Sequence, residues 1–162
     1  MSILHQQSCP IAASLNQLGD AWTLLIVREA NRGISRFSDF RKNTGIAKNL
    51  LAGRLTQMVE HGIFERHDVG NRGTRFEYRL TAKGMALAPM MATIIQWGNE
   101  WIFGTGNEPV KMISRKTGAA ITSVLPADDK GTVFEWEDVA VTRGPATPRT
   151  KQYDDPIEEH SR

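Results

Sequence analysis

Between Lys48 and Gln57 the chain reads KNLLAGRLTQ, and several of these residues suit the chemistry of base and phosphate recognition. Asparagine and glutamine pair bidentately with adenine, and arginine does so with guanine. Coiled as a helix at about 100° per residue, the segment puts Leu51, Leu55, Met58 and Val59 on one apolar stripe. Asn49, Gly53, Thr56 and Gln57 then lie near the opposite side. A groove-facing set of Lys48, Asn49, Gly53, Arg54 and Gln57 follows. Gly53 would admit a close backbone approach. Lys48, in the first turn, would sit beside backbone N–H groups that favour phosphate.

A second stretch, FERHDVGNRGTRFEYRL from Phe64 to Leu80, looks like a hairpin turning through Gly70-Asn71-Arg72-Gly73. It lifts Asn71 and Arg72 to a tip, with Arg75 just behind. Arginine suits both phosphate and a narrow minor groove. The plainer alternative is a charged tip that is simply solvated.

These residues need elements to hold them. Pro10 to Leu18 reads as a short helix, with Pro10 at its start, Gly19 as its stop and a buried stripe of Ile11, Leu15 and Leu18. Asp20 to Asn31 is apolar almost all round at Trp22, Leu24, Leu25, Ile26 and Val27, as a central helix would be. Phe37 to Asn43 makes a third helix stopped by Gly45, with Arg36 and Ser38 at its opening and within reach of DNA. Ala47 to His61 is the fourth, and the hairpin follows. Thr81 is an N-cap for a long fifth helix, Ala82 to Phe103, with a kink or brief interruption expected at Pro89. Three helices, then a recognition helix and hairpin, make the winged helix-turn-helix order. The expected class is mainly α with a β-hairpin wing, plus a small β-rich C-terminal appendage.

Charge distribution agrees. From Arg32 to Lys83 there are eleven Lys/Arg against five Asp/Glu, and from Pro109 onward eight against nine. A basic middle points to a local anionic partner. A single cysteine, Cys9, excludes an intramolecular disulfide and a cysteine-based zinc site. His5, His61, His67 and His160 are scattered, and no P-loop, G-x-S-x-G or dinucleotide fingerprint occurs. No enzyme activity, cofactor or metal is expected. The start MSILHQQSCP lacks the pattern of a signal peptide, and no apolar run approaches a membrane span, so a cytoplasmic protein is expected.

The motifs also carry a resemblance. Cys-Pro before the first helix, Gly-x-x-Trp at Gly19 to Trp22 and RFSDF at Arg36 to Phe40 are three of its marks. GI at Gly45 and Ile46, EYRLT at Glu77 to Thr81 and QWG at Gln96 to Gly98 are the others. In this order they resemble the HxlR-type winged helix-turn-helix regulators, a MarR-like family of bacteria, over Cys9 to Gly104. The resemblance implies a homodimer paired through N- and C-terminal helices, with Ile94, Trp97 and Trp101 at the subunit contact, bound to a palindromic operator in double-stranded DNA. Two departures stand out. Ala47 replaces a common serine and removes an N-cap, for which Thr44 or Asn43 would have to compensate. The wing carries Gly70, Asn71 and Gly73 where prolines are frequent.

Residues 1–106 are therefore expected to form the DNA-binding and dimerisation domain. Residues 107–145 are expected to be a small β-rich segment without metal ligands, within which Val110 to Arg143 resembles a zinc-ribbon-like segment of some longer family members, and 146–162 a disordered tail. Cys9 lies at the mouth of the first helix, where partial positive charge favours a thiolate. Certain relatives sense quinones, aldehydes or disulfide stress with a cysteine at the matching place, so Cys9 is a candidate sensor of an oxidant or electrophile. Three alternatives stay open: Cys9 as a small capping residue, a winged helix that binds protein, and a small-molecule receptor lined by Met85, Met90 and Met91.

Overall fold

The computed structural model describes residues 9–70, 75–142 and 144–145. In order they form α1 (Pro10–Leu18), α2 (Ala21–Asn31), α3 (Phe37–Thr44), α4 (Lys48–Glu60), β1 (Phe64–Asp68), β2 (Phe76–Leu80), α5 (Ala82–Met85) and α6 (Ala88–Gly98). A π-helical turn, Asn99–Phe103, prolongs α6. The described residues of Ser14–Val124 form one compact unit, and those of Met1–Ala13 and Leu125–Arg162 another.

In the first unit α2 is the central element, packing on α3, α4, α6 and β2. It starts sharply because Asp20 caps it, its Oδ1 accepting from Thr23 N at 2.9 Å. Ile26 and Val27 join Phe40, Ile46, Leu51, Leu55, Met58, Ile63 and Phe64 in a closed apolar cluster. Phe40 and Phe64 meet edge to face, with ring centroids 6.2 Å apart. The cluster draws on helices, turn and strand together, so these elements share one core.

Glu29 is the charged residue inside this packing, only 2% exposed. Its Oε1 accepts from Arg28 Nε at 2.8 Å and Arg32 Nη1 at 3.2 Å, and its Oε2 from Asn43 Nδ2 at 2.8 Å. The last bond ties α2 to the end of α3. Burial pushes the Glu29 carboxyl upward, but the hydrogen bonds from Asn43 and Arg28 and the charges of Arg28 and Arg32 outweigh it. The group ends below the usual carboxylate range.

β1 and β2 pair antiparallel, from Phe64 opposite Leu80 to Asp68 opposite Phe76. A short third partner comes from the segment before α3: Arg36 bridges Glu77, and Ser35 O accepts from Tyr78 N at 2.8 Å. After β2, Thr81 caps α5 by accepting from Gly84 N, and its hydroxyl donates to Gly62 O at 2.6 Å. Gly84 is needed there, because a Cβ would fall on the Ile63 carbonyl oxygen.

The interruption expected near Pro89 is present: the long fifth helix is broken between Met85 and Ala88, with Pro89 in the first turn of α6, where its missing N–H leaves no gap. Other expectations change. Of the stripe Ile11, Leu15, Leu18, Leu18 packs against the core, but Ile11 and Leu15 are 72% and 45% exposed, and α1 buries Ala12. The spacing marks an apolar face, which the described residues leave exposed at Ile11 and Leu15. The β-prone runs after Gly104 form isolated bridges, Ile113 with Ala120 and Ala127 with Val133. In the second unit the latter is closed by Asp128, whose Oδ1 accepts from Lys130 N and Thr132 N. Glycines and prolines cut these runs too short for a continued ladder.

Glu29→Gln is expected to destabilise the fold by about 1.5–3 kcal/mol at neutral pH, the range for a hydrogen bond to a charged group. A carboxyl lowered by folding stabilises above its unfolded value, about 4.3, and ceases to as pH falls through its folded value. Urea unfolding should therefore show the gap between wild type and Glu29→Gln wide at pH 7 and closing below about pH 4. A gap independent of pH would mean that the charge of Glu29 does not contribute.

Candidate nucleic-acid interface

The helix-turn-helix is set by Gly45, which adopts φ 72° at the end of α3, a conformation favouring glycine, and lets Ile46 turn back into the core. Leu51, Leu55 and Met58 of α4 are buried beside it. Lys48, Asn49, Ala52, Gly53 and Thr56 are thereby left exposed. A Cβ on Gly53 would meet open space, so no contact among the described residues demands glycine there.

Ala47 occupies the N-cap of α4 and supplies no side-chain bond. The anticipated substitutes are committed elsewhere. Thr44 Oγ1 donates to Phe40 O at 2.6 Å, and Asn43 serves Glu29. The first amides of α4 thus have no side-chain acceptor from the N-cap. In front of them is an open concavity of about 610 Å³ lined by Phe37, Ser38, Arg41, Lys42, Gly45, Ile46, Ala47 and Lys48. Positive charge from Arg41, Lys42 and Lys48 converges with a helix start, an arrangement suited to phosphate. Arg41 and Lys42 were not singled out from sequence, although the adjacent basic pair in FRKNTG was a usable signal.

The remaining residues divide. Ser38 is exposed and donates to Asp39 Oδ1 at 3.2 Å. Arg36 Nε lies 3.6 Å from Glu77 Oε1, and Arg79 Nη2 lies 3.1 Å from Glu77 Oε2. The Arg79 hydrogen bond holds the Glu77 carboxyl below its ordinary range, with burial opposing and the charges of Arg79 and Arg36 adding. Arg54 and Gln57 do not point freely outward. Arg54 Nε is 2.8 Å from Asp20 Oδ2, and its Nη1 donates to Gln57 Oε1 at 2.8 Å. Arg54 lies beside the buried stripe, at the flank of α4, which brings it within reach of the α2 cap.

At the neck of the hairpin, Asp68 Oδ1 accepts from Gly70 N at 2.9 Å and from Arg75 N at 3.3 Å. Arg75 is exposed there, and Arg66 stacks over Phe76, 4.2 Å from the ring centre. Asn71 and Arg72, expected at the tip, lie outside the described residues. Met85 and Met90 are surface residues, while Met91 packs against the core.

The family model for HxlR-like helix-turn-helix proteins matches residues 17–105, from the end of α1 to just past the π-helical turn. The chain belongs to the HxlR-like family. Relatives that it resembles are named HTH-type transcriptional regulators. Among relatives of this HxlR-like protein, the HTH-type transcriptional regulator Rv3095 of Mycobacterium tuberculosis is 37% identical over 102 residues, 63% of this chain. That match spans 65% of the length of Rv3095. Of solved structures, PA1607, a candidate transcription factor, is 40% identical with a TM-score of 0.75, covering 86% of this chain and 97% of that one. The redox regulator HypR in its reduced form is 26% identical with a TM-score of 0.52, covering 56% of this chain and 90% of that one. Among the described residues no helix is long and apolar enough to cross a membrane.

Replacing Arg41 and Lys48 together by alanine is expected to flatten the dependence of log affinity on log salt by about two units, about one per lost phosphate contact. Anisotropy titrations over a salt series measure the slope. An unchanged slope would remove the concavity from the phosphate contacts.

Proposed function

We propose that this HxlR-like chain acts as a sequence-specific homodimer on a palindromic operator, responsive to oxidant or electrophile through Cys9. Each copy reads the major groove with α4, from Lys48, Asn49, Gly53, Arg54 and Gln57. It holds phosphate with Arg36, Ser38 and the basic concavity, and applies its wing through Asn71, Arg72 and Arg75. It works in the cytoplasm, on chromosomal DNA.

The observation that carries the dimer is the outer face of α6 and its π-helical extension. Met90, Ile94, Trp97 and Trp101 recur at helical spacing and are 37%, 44%, 58% and 70% exposed. Ile102 and Phe103 add further exposed apolar surface. A contiguous face of this kind marks an interaction site on a soluble domain, and tryptophan is the residue type most often found at the centre of such contacts. A two-fold axis there would present two α4 helices to successive major grooves, about one DNA turn apart. Trp97→Glu is expected to convert a dimer into a monomer at micromolar concentration by sedimentation, and to weaken operator binding at least tenfold. A wild-type chain that sediments as a monomer at that concentration would defeat the dimer.

The redox reading is supported by HypR, described as a redox regulator, and by the position of Cys9. Cys9 is half-buried immediately before α1, its carbonyl accepting from Ala13 N at 2.9 Å. With one cysteine per chain, oxidation would link two copies or form a mixed disulfide with a small thiol. Cys9→Ser is expected to bind operator as wild type does and to lose the response to diamide. A mutant that still responds would leave signalling to a bound small molecule.

A further inference from the structure

Arg54 is the one arginine of α4, and the fold holds it in a fixed place. Its Nε is 2.8 Å from Asp20 Oδ2, and Nη1 donates to Gln57 Oε1 at 2.8 Å. A guanidinium carries five N–H donors in one plane. Gln57 occupies one on Nη1, while Nε is buried against Asp20 in an ion pair without hydrogen-bond geometry. Among the described residues one donor on Nη1 and both on Nη2 have no partner, whereas a bidentate contact to guanine O6 and N7 takes two. The side chain is 29% exposed, so it is partly covered without being shut away from a ligand.

Asp20 has two separate tasks. Oδ1 accepts from Thr23 N and starts α2, while Oδ2 faces Arg54. Because α2 is anchored in the core by Ile26 and Val27, the carboxylate is a rigid post for a side chain on another helix. We infer that Asp20 is a specificity-determining positioning residue, holding Arg54, together with Gln57, in the orientation that reads a guanine of the operator. This rests on the DNA-reading role of α4 proposed above. An arginine held beforehand gives up less rotamer freedom on docking than a free one. A carboxylate close to DNA also repels phosphate, so Asp20 raises discrimination while lowering indiscriminate attraction.

The test separates this role from helix capping. Asparagine caps a helix as well as aspartate does, so Asp20→Asn retains α2. Its one side-chain oxygen is taken by Thr23, so a neutral amide NH2 stands where the carboxylate oxygen faced Arg54 and the ion pair is lost. Full-length wild type, Asp20→Asn and Arg54→Lys are each used to select binding sites from a randomised duplex pool. Affinities are then measured for the selected site, for the same site with each guanine replaced, and for an unrelated duplex. Wild type is expected to prefer guanine at one position per half-site. Asp20→Asn should reduce that preference by about five- to tenfold, within the range for one bidentate base contact. Its binding to unrelated duplex should be unchanged or tighter.

Arg54→Lys should lose the preference at the same position, and the double variant should do no worse than Arg54→Lys, as expected for one coupled unit. Asp20→Ser, which also caps but is too short to reach Arg54, should behave as Asp20→Asn and guards against a folding defect peculiar to one variant. The inference is overturned if Asp20→Asn and Asp20→Ser keep the guanine preference. It is equally overturned if they lose affinity alike for selected and unrelated duplexes, or act at a position different from Arg54→Lys. If the wild-type chain enriches no sequence at all, the DNA-reading role itself falls and this inference with it.

Discussion

Leu51, Leu55 and Met58 of α4 lie withdrawn from water in the cluster containing Ile26, Val27, Phe40 and Phe64. Each such side chain contributes about 1.5–3 kcal/mol on full burial. Turning α4 by a fraction of a turn would bring them out and drive polar side chains inward. The rotation of the helix is therefore locked by its buried side, and its outer side follows as a consequence. Lys48, Asn49, Gly53 and Thr56 are presented because the opposite face cannot move.

Polar contacts refine what the apolar cluster sets. Glu29 fastens α2 to the end of α3 through Asn43. Asp20 fastens the start of α2 to the middle of α4 through Arg54. Both carboxylates belong to α2 or its cap, so the central helix serves as the reference frame for the pair that forms the helix-turn-helix. The two differ in surroundings. Glu29 is sealed in and almost fully satisfied, and is a structural group. Asp20 and Arg54 stay partly open, so their contact can be shared with a ligand.

At the other end, Thr81 and Gly84 join α5 to the turn before β1, and Lys83 Nζ reaches His61 O at 2.7 Å. The root of the wing and the start of the C-terminal helices are thus one joint.

Much of this was legible in the sequence. Apolar spacing in α2 and α4, Asp20 and Thr81 as caps, Gly45 as a stop and the break near Pro89 are local matters, governed by backbone geometry within a few residues. Other features were decided only in three dimensions. Periodicity placed an apolar face on α1 but not its cover, so Ile11 and Leu15 were expected inside and lie outside. Glu29 reads as an ordinary surface charge until Asn43 folds against it. Arg54 and Gln57 read as free groove contacts because nothing nearby in the sequence announces Asp20. Sequence alone determined the helices and the hairpin, since hydrogen bonding and side-chain period repeat over one or two turns. Tertiary structure decided which charged groups pair, since that depends on distances between residues remote along the chain, which no local pattern encodes.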